Sequence, residues 1–97
     1  NETSVWDRID KIVVIGGGIA LANGETETLV VKGVSDSNPN LLENVPYEDL
    51  TFTSGNDAVA TVDEAGLVTA KGEGDTEITI KNEEKNFTVI CDVEVTP

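Results

Sequence analysis

The side chains that most often perform catalysis are scarce in this sequence. It contains no histidine and one cysteine, Cys91, which falls in the middle of an alternating apolar stretch, where a thiol is usually an inert core residue. Adjacent acids occur at Asp63-Glu64 and Glu83-Glu84. Neighbouring residues on a strand point to opposite faces, and both pairs fall in predicted turns, so neither makes an acid–base pair. We therefore predict that the chain is not an enzyme and has no catalytic residues.

A glycine-rich stretch invites comparison with nucleotide binding. Residues 13–20 run from an apolar segment into Gly16-Gly17-Gly18, as in dinucleotide-binding folds, where a strand leads to a glycine turn and a helix that holds the pyrophosphate. The third glycine position of that motif is Leu21, and Asn23-Gly24 would break the required helix. The glycines therefore predict a bulge or kink between two strand segments.

Calcium is the one metal that the sequence leaves open. Asp57, Asp63, Asp75 and Asp92 lie near predicted loop ends, and hard cations prefer such oxygen ligands. No loop shows the alternating Asp/Asn pattern with a distal Glu that defines a dedicated calcium site. We predict no other cofactor.

Aromatic side chains that could stack on a ligand are also few. Phe52 and Phe87 fall in predicted strands and are expected in the core, whereas Trp6 and Tyr47 lie in the N-terminal segment and a predicted loop. Two interpretations stay open for Trp6 and Tyr47. They cover one end of the fold, or they contact a sugar or peptide ligand, since both combine an apolar ring with a polar group.

The charge balance excludes several kinds of partner. The 97 residues include 6 basic and 19 acidic side chains, for a formal net charge of -13. Nucleic acid and anionic membranes need compensating Lys or Arg, so we predict neither nucleic-acid binding nor membrane insertion. No apolar run reaches membrane-spanning length and no signal peptide opens the sequence. The single cysteine excludes an internal disulfide.

The elements that would position these residues are strands. Residues 87–96 alternate between apolar and polar side chains, which places Phe87, Val89, Cys91, Val93 and Val95 on one inward face. About seven short strands separated by Gly, Asn and Asp turns predict an all-β sandwich. The predicted strands cover residues 12–15, with a short second piece at 19–21 after the glycines, and residues 26–34, 50–54, 59–62, 67–70, 76–81 and 87–96. The predicted interior includes Phe52, Val59, Ala60, Val62, Val68, Ile78, Ile80 and Val93.

Two segments are expected outside these strands. Residues 35–49 are predicted to be a long loop, within which only residues 40–48 have any helical character, and Pro46 weakens it. Residues 1–10 are predicted to be an N-terminal extension or linker, and residues 11–97 the domain.

Residues 52–79 resemble the bacterial immunoglobulin-like domain, group 2. The motifs that carry the resemblance are Phe52-Thr53-Ser54, Val59-Ala60-Thr61-Val62-Asp63, Gly66-Leu67-Val68-Thr69-Ala70 and Gly72-Glu73-Gly74 with Ile78. Asn23-Gly24-Glu25-Thr26 and Val93-Glu94-Val95-Thr96 extend it toward both ends. The family usually has Trp where Phe52 stands, and the Gly16-Gly17-Gly18 stretch and the segment 35–49 also depart from its pattern. The resemblance implies an immunoglobulin-like Greek-key β-sandwich without catalytic residues.

The resemblance also implies a setting. Such domains are modules of bacterial surface proteins similar to intimins and invasins, so the expected function is a non-catalytic interaction or spacer module in adhesion or in presenting neighbouring domains. The alternatives are a phage tail or capsid appendage that contacts host-surface glycans and an accessory carbohydrate-binding module. The expected partners are other domains of the parent chain and a host-surface protein or glycan. The isolated domain is expected to be a monomer, and its location extracellular, on the bacterial surface or on a virion.

Overall fold

The computed structural model describes residues 5–16 and 18–97, which form an all-β protein. These residues contain ten strands, one short helical turn and one 3-10 turn. The elements are α1 (Val5–Arg8), β1 (Lys11–Val14), β2 (Gly18–Ala22), β3 (Thr26–Thr28), β4 (Val31–Ser35), β5 (Asn38–Asn44), η1 (Tyr47–Asp49), β6 (Thr51–Ser54), β7 (Ala60–Val62), β8 (Leu67–Ala70), β9 (Gly74–Asn82) and β10 (Phe87–Thr96). The prediction of an all-β fold is confirmed, with more strands than the predicted seven.

The strands form three sheets around one core. A four-stranded sheet has the order β2-β10-β9-β6, and two three-stranded sheets have the orders β1-β4-β5 and β3-β8-β7. All pairs are antiparallel except β2 with β10. The predicted long strand over residues 26–34 is wrong in one respect. It divides into β3 and β4 because the chain changes its hydrogen-bonding partner from β8 to β1 and β5.

The core follows the predicted alternation. In β10, Cys91, Val93 and Val95 are buried while Ile90, Asp92 and Glu94 are exposed. Their inward side chains join Ile78 and Ile80 of β9 in the core cluster. Other members come from all three sheets: Ile12, Leu21, Val31, Ala60, Val68 and Ala70. Val62 and Phe52, predicted to be interior, pack against this cluster while remaining half-buried.

The segment 35–49 is not a loop, so that prediction is wrong. Residues 38–44 form the edge strand β5, which pairs with β4 through a bulge at Val34/Ser35, and η1 follows. Six of the seven residues of β5 are exposed. A strand that is exposed on both faces does not alternate between apolar and polar residues, so the sequence pattern did not reveal it. Pro39 is compatible with strand structure because an edge strand leaves one row of N–H groups unpaired.

The glycine-rich stretch leads into a strand. Gly16 has a φ of 92° and ends a turn after β1, and β2 begins at Gly18. A strand occupies the place where dinucleotide binding requires a helix, as the sequence predicted. Gly17 lies outside the described residues.

The molecule is elongated, and its described ends lie far apart. The principal extents are 48 × 23 × 17 Å. The Trp6 ring of α1 lies 6.4 Å from the Phe87 ring at the start of β10, whereas Thr96 at the end of β10 accepts a hydrogen bond from the Asn23 backbone. Trp6 and Ile9 are both core members, and the domain boundary at residue 11 stays a prediction. No helix among residues 5–16 and 18–97 is long and apolar enough to cross a membrane.

Candidate functional site

Tyr47 connects the two halves of the divided strand. Its hydroxyl donates to the Leu29 carbonyl oxygen at 2.6 Å and accepts from the Val31 N–H at 2.7 Å. These backbone groups flank Val30 at the junction where β3 ends and β4 begins. The ring packs against Phe52, with centroids 5.6 Å apart, and over Gly66, where an added Cβ would lie 3.1 Å from Tyr47. The Tyr47 hydroxyl thus serves as the hydrogen-bond partner of two backbone groups at the junction of β3 and β4.

Trp6 attaches the N-terminal turn to η1. Its indole N–H donates to the Asp49 carboxylate at 2.9 Å, and only 2% of the residue is exposed. The Asp49 carbonyl accepts from the amide of Asn82 at 3.1 Å. Asn82 is fully buried and also accepts from the Lys85 backbone N–H. This network closes one end of the sandwich.

An ion pair adds a second contact at the same end. The Lys85 ammonium lies 2.7 Å from the Asp7 carboxylate. The hydrogen bond to Asp7 and its negative charge raise the pKa of Lys85 above 10.5. Both side chains are solvent-exposed, so the pair contributes little to stability.

Two surface recesses flank η1, and each contains one of the two predicted contact residues. Trp6 lines a recess of 430 Å³ together with Glu48, Asp49, Leu50, Thr51, Asn82, Glu83 and Glu84. Tyr47 lines a recess of 520 Å³ with Glu48, Leu50, Glu64 and Ala65. The structure thus brings Trp6 and Tyr47 to the same end of the sandwich, where both have packing and hydrogen-bonding roles. Their contact with a ligand stays a prediction.

The outer side of the four-stranded sheet carries a set of carboxylates that we call the acidic face. Asp75 and Glu77 of β9 lie directly opposite Glu94 and Asp92 of β10 in the register. All four side chains are exposed, and directly opposed like charges destabilise a sheet. They line a shallow groove of 780 Å³ that reaches Gly18 on one side and Gly55 on the other.

The four calcium candidates do not come together as a set. Asp75 and Asp92 share the acidic face, Asp57 lies in a turn, and Asp63 uses its carboxylate to accept from the Ala65 and Leu67 N–H groups. Within residues 5–16 and 18–97, no group of three or more acidic or cysteine side chains is arranged to hold a metal ion. Calcium binding stays a prediction.

Sequence reasoning missed Glu77 and Glu94 as members of the acidic face. The signal was present in the alternation of β9 and β10. Two successive outward positions on each strand are acids, and the register of the hairpin sets them opposite each other.

The only thiol is shielded from chemistry. Cys91 is fully buried, and burial, followed by the charges of Asp92 and Glu27, raises its pKa above the ordinary value of 9.0. A thiol held neutral is a poor nucleophile.

Comparison with known proteins agrees with this architecture. Residues 18–93 match the family model described as bacterial Ig-like domain (group 2). Domains 4 and 5 of the S-layer protein SbsC are 26% identical with a TM-score of 0.70, over 92% of this chain and 53% of theirs. Domains 4–9 of SbsC are also 26% identical, with a TM-score of 0.69, over 91% of this chain and 14% of theirs.

A mutant of EHEC O157:H7 intimin shares the fold. It is 22% identical with a TM-score of 0.57, over 87% of this chain and 42% of its own. The chain thus spans about half or less of the length of these structures. No curated protein sequence matches it.

Proposed function

The chain belongs to the bacterial Ig-like domain family, group 2, and from that premise we propose that it is a non-catalytic spacer and interaction module of a bacterial surface or secreted protein. The immunoglobulin-like β-sandwich predicted from the sequence is confirmed. The S-layer structures that it resembles contain further domains beyond the matched part. This supports a module that holds neighbouring domains of one parent chain apart at the cell surface.

The observation that carries the proposal is the position of the two ends. The N-terminal turn packs beside the first residue of β10, and the chain leaves the domain at the end of the same strand. β10 has ten residues, which extend about 30 Å at the usual rise of a strand. Neighbouring domains attached at the two ends are therefore separated by the length of the sandwich. A module of this kind needs rigidity and distance, and it needs no pocket.

A distance measurement tests this arrangement. Spin labels at Asp7→Cys and Thr96→Cys can be attached to the native protein, in which Cys91 is buried. Pulsed electron spin resonance should give one narrow distribution centred at about 30–40 Å. The same sample in strong denaturant is the control and should give a broad distribution. A broad distribution for the native protein would contradict the spacer function.

A ligand titration separates the proposal from its alternatives. Amide NMR spectra recorded with calcium and then with soluble glycans should show no localised shifts if the module is a spacer. Glycan-dependent shifts confined to the recesses beside Trp6 and Tyr47 would favour the accessory carbohydrate-binding module. Localised shifts with calcium around Asp75 and Asp92 would add a metal-dependent role.

A further inference from the structure

The outer side of the β1-β4-β5 sheet is unlike the rest of the surface. Ile12 lies in the core and pairs with Gly33. A Cβ added at Gly33 would collide with Ile9, which is also in the core. The side of the sheet that carries Ile12 and Gly33 therefore faces inward. The alternate rows therefore point outward. We call this surface the lysine face; its outward residues are Lys11, Val13, Ile15, Val30, Lys32, Leu42 and Asn44. Val34 shares this side by register but is only 6% exposed.

This face concentrates exposed apolar surface. Of the five large hydrophobic residues that are exposed within residues 5–16 and 18–97, Ile15 and Val30 lie on it at 44% each, and Leu42 lies on it at 48%. Leu41 is also 52% exposed, but as the neighbour of Leu42 in the edge strand it points to the other side. Contiguous apolar residues on an exposed sheet face usually mark a contact surface.

The lysine face is also the basic part of an acidic molecule. It carries two of the chain's six basic residues and no acidic residue. Lys32 donates to the Asn44 side-chain amide, which is neutral and leaves the charge uncompensated. Neither Lys11 nor Lys32 forms a salt bridge with the described residues. With a net charge of -13, a second copy presents mostly acid to this face.

The acidic face lies on the opposite side of the sandwich. Inward residues of β1 and β4 meet inward residues of β9 and β10 in one core cluster, so the outward rows of the two sheets face away from each other. The acidic face also has an apolar element, because Ile90 is 52% exposed two residues before Asp92. Each face thus combines a cluster of like charges with exposed apolar surface, although Lys81 lies on the same side of β9 as Asp75 and Glu77.

The spacing of the charges on the two faces agrees. Lys11 pairs with Val34 and Lys32 with Val13, so the lysines are diagonal neighbours, about 7–8 Å apart at the backbone. Glu77 with Asp92 and Asp75 with Glu94 form two rows separated by two residues along the strands, which is about 7 Å. Two lysines can therefore meet two carboxylate rows at once.

We propose that the lysine face docks against the acidic face of a second copy, in a lateral contact between modules of neighbouring parent chains. This inference rests on the proposed function only in requiring that many copies stand side by side. Because the two contacting surfaces differ, the contact is heterologous, and each copy can bind one neighbour on either side.

The small size of the lysine face makes the contact weak. Three strands of about five residues cover roughly 250 Å², whereas a stable complex buries about 800 Å² on each partner. A dissociation constant in the millimolar range is expected, so the free domain is a monomer at micromolar concentration. Tethering in an array supplies effective concentrations of the same order.

Self-association of the wild-type domain is the first measurement. Amide NMR spectra are recorded from about 50 µM to 2 mM at physiological ionic strength, where the Debye length of about 8 Å screens the net repulsion but not close contacts. We expect concentration-dependent shifts in residues 11–15, 30–34 and 42–44 and in residues 75–77 and 90–94. Ile90→Ser, which changes no charge, should reduce these shifts.

Complementation identifies the two partners. One variant carries Lys11→Glu and Lys32→Glu, and a second carries Glu77→Lys and Asp92→Lys. Each should lose self-association by at least about tenfold, because like charges then meet at the contact. Mixing the two should restore shifts, because the first retains the acidic face and the second retains the lysine face.

A charge-matched variant is the control. Glu64→Lys with Glu83→Lys makes the same change in net charge at exposed turns away from both faces. Because it retains both the lysine face and the acidic face, it should self-associate like the wild type. A control that loses self-association as strongly as the Glu77→Lys, Asp92→Lys variant, or a wild type without shifts at 2 mM, would overturn the proposal. The spin-label distance across one domain does not depend on this contact, so the two proposals fail separately.

Discussion

Replacing Tyr47 with phenylalanine should destabilise the domain although the ring is retained. The substitution removes one hydroxyl and leaves the Leu29 carbonyl and the Val31 N–H without their partner. Leu29 and Val31 are 1% and 2% exposed, and an unsatisfied buried polar group costs about 1–3 kcal/mol. Tyr47 itself is half-buried, so water can reach part of this site. We therefore expect a loss of about 2–3 kcal/mol in the free energy of unfolding.

Urea unfolding followed by the fluorescence of Trp6 measures this loss. A decrease of that size should lower the melting temperature by about 10–20 °C in a domain of this length, with an unchanged dependence on urea. Thr53→Val is the matched control, because it removes an exposed hydroxyl from the outer side of β6 and should change stability by less than about 0.5 kcal/mol. A Tyr47→Phe domain as stable as the control would refute the bridging role of the hydroxyl.

Three other perturbations follow from the same structure. Burial raises the pKa of Cys91 in the folded domain, so the thiol of the unfolded chain ionises at a lower pH than the thiol of the folded domain. The free energy of unfolding should therefore fall as pH rises above about 9. In urea titrations at several pH values, Cys91→Ala should remove this contribution. Glu77→Gln relieves the repulsion across from Asp92 and should stabilise the domain by about 0.5 kcal/mol, less so in high salt; an unchanged urea midpoint would contradict this reading of the acidic face. Gly33→Ala places a Cβ 2.5 Å from Ile9 and should cost about 1–3 kcal/mol, measured by thermal unfolding. An unchanged melting temperature would mean that Ile9, in the segment before β1, can move away from the added Cβ at little cost.

The sequence predicted the parts of the fold where one face of a strand meets the core. The sequence of β10 alternates between apolar and polar residues because its inward side chains are buried in the core while its outward ones face water. This two-residue period can be recognised in the sequence. Gly66, between β7 and β8, and Gly74, at the start of β9, have φ values of 82° and 144°. Glycine is preferred where the backbone takes such values.

The parts that failed lack a local signal. β5 is exposed on both faces, so no burial pattern distinguishes it from a loop. The division between β3 and β4 depends on a change of pairing partner, and the residues around Leu29 remain extended and apolar throughout. Only the three-dimensional arrangement shows that the Tyr47 hydroxyl, 16 to 18 residues away, joins the two halves.

The candidate site was predictable in residue type but not in geometry. Composition singled out Trp6 and Tyr47 as aromatic residues outside the predicted strands, and the structure places both at one end of the sandwich. Their partners, Asp49 for Trp6 and the divided strand for Tyr47, are distant in sequence. The opposed carboxylates of the acidic face depend on a hairpin register that composition does not contain.

The position of β10 has a mechanical consequence. In the proposed spacer, tension between neighbouring domains would pull this strand along its own axis, between β9 on one side and the parallel strand β2 on the other. The inter-strand hydrogen bonds are then loaded in shear, all at once, whereas peeling a strand from an edge breaks them one after another. A chain of such modules would therefore resist extension most strongly along the direction in which a surface protein is stretched.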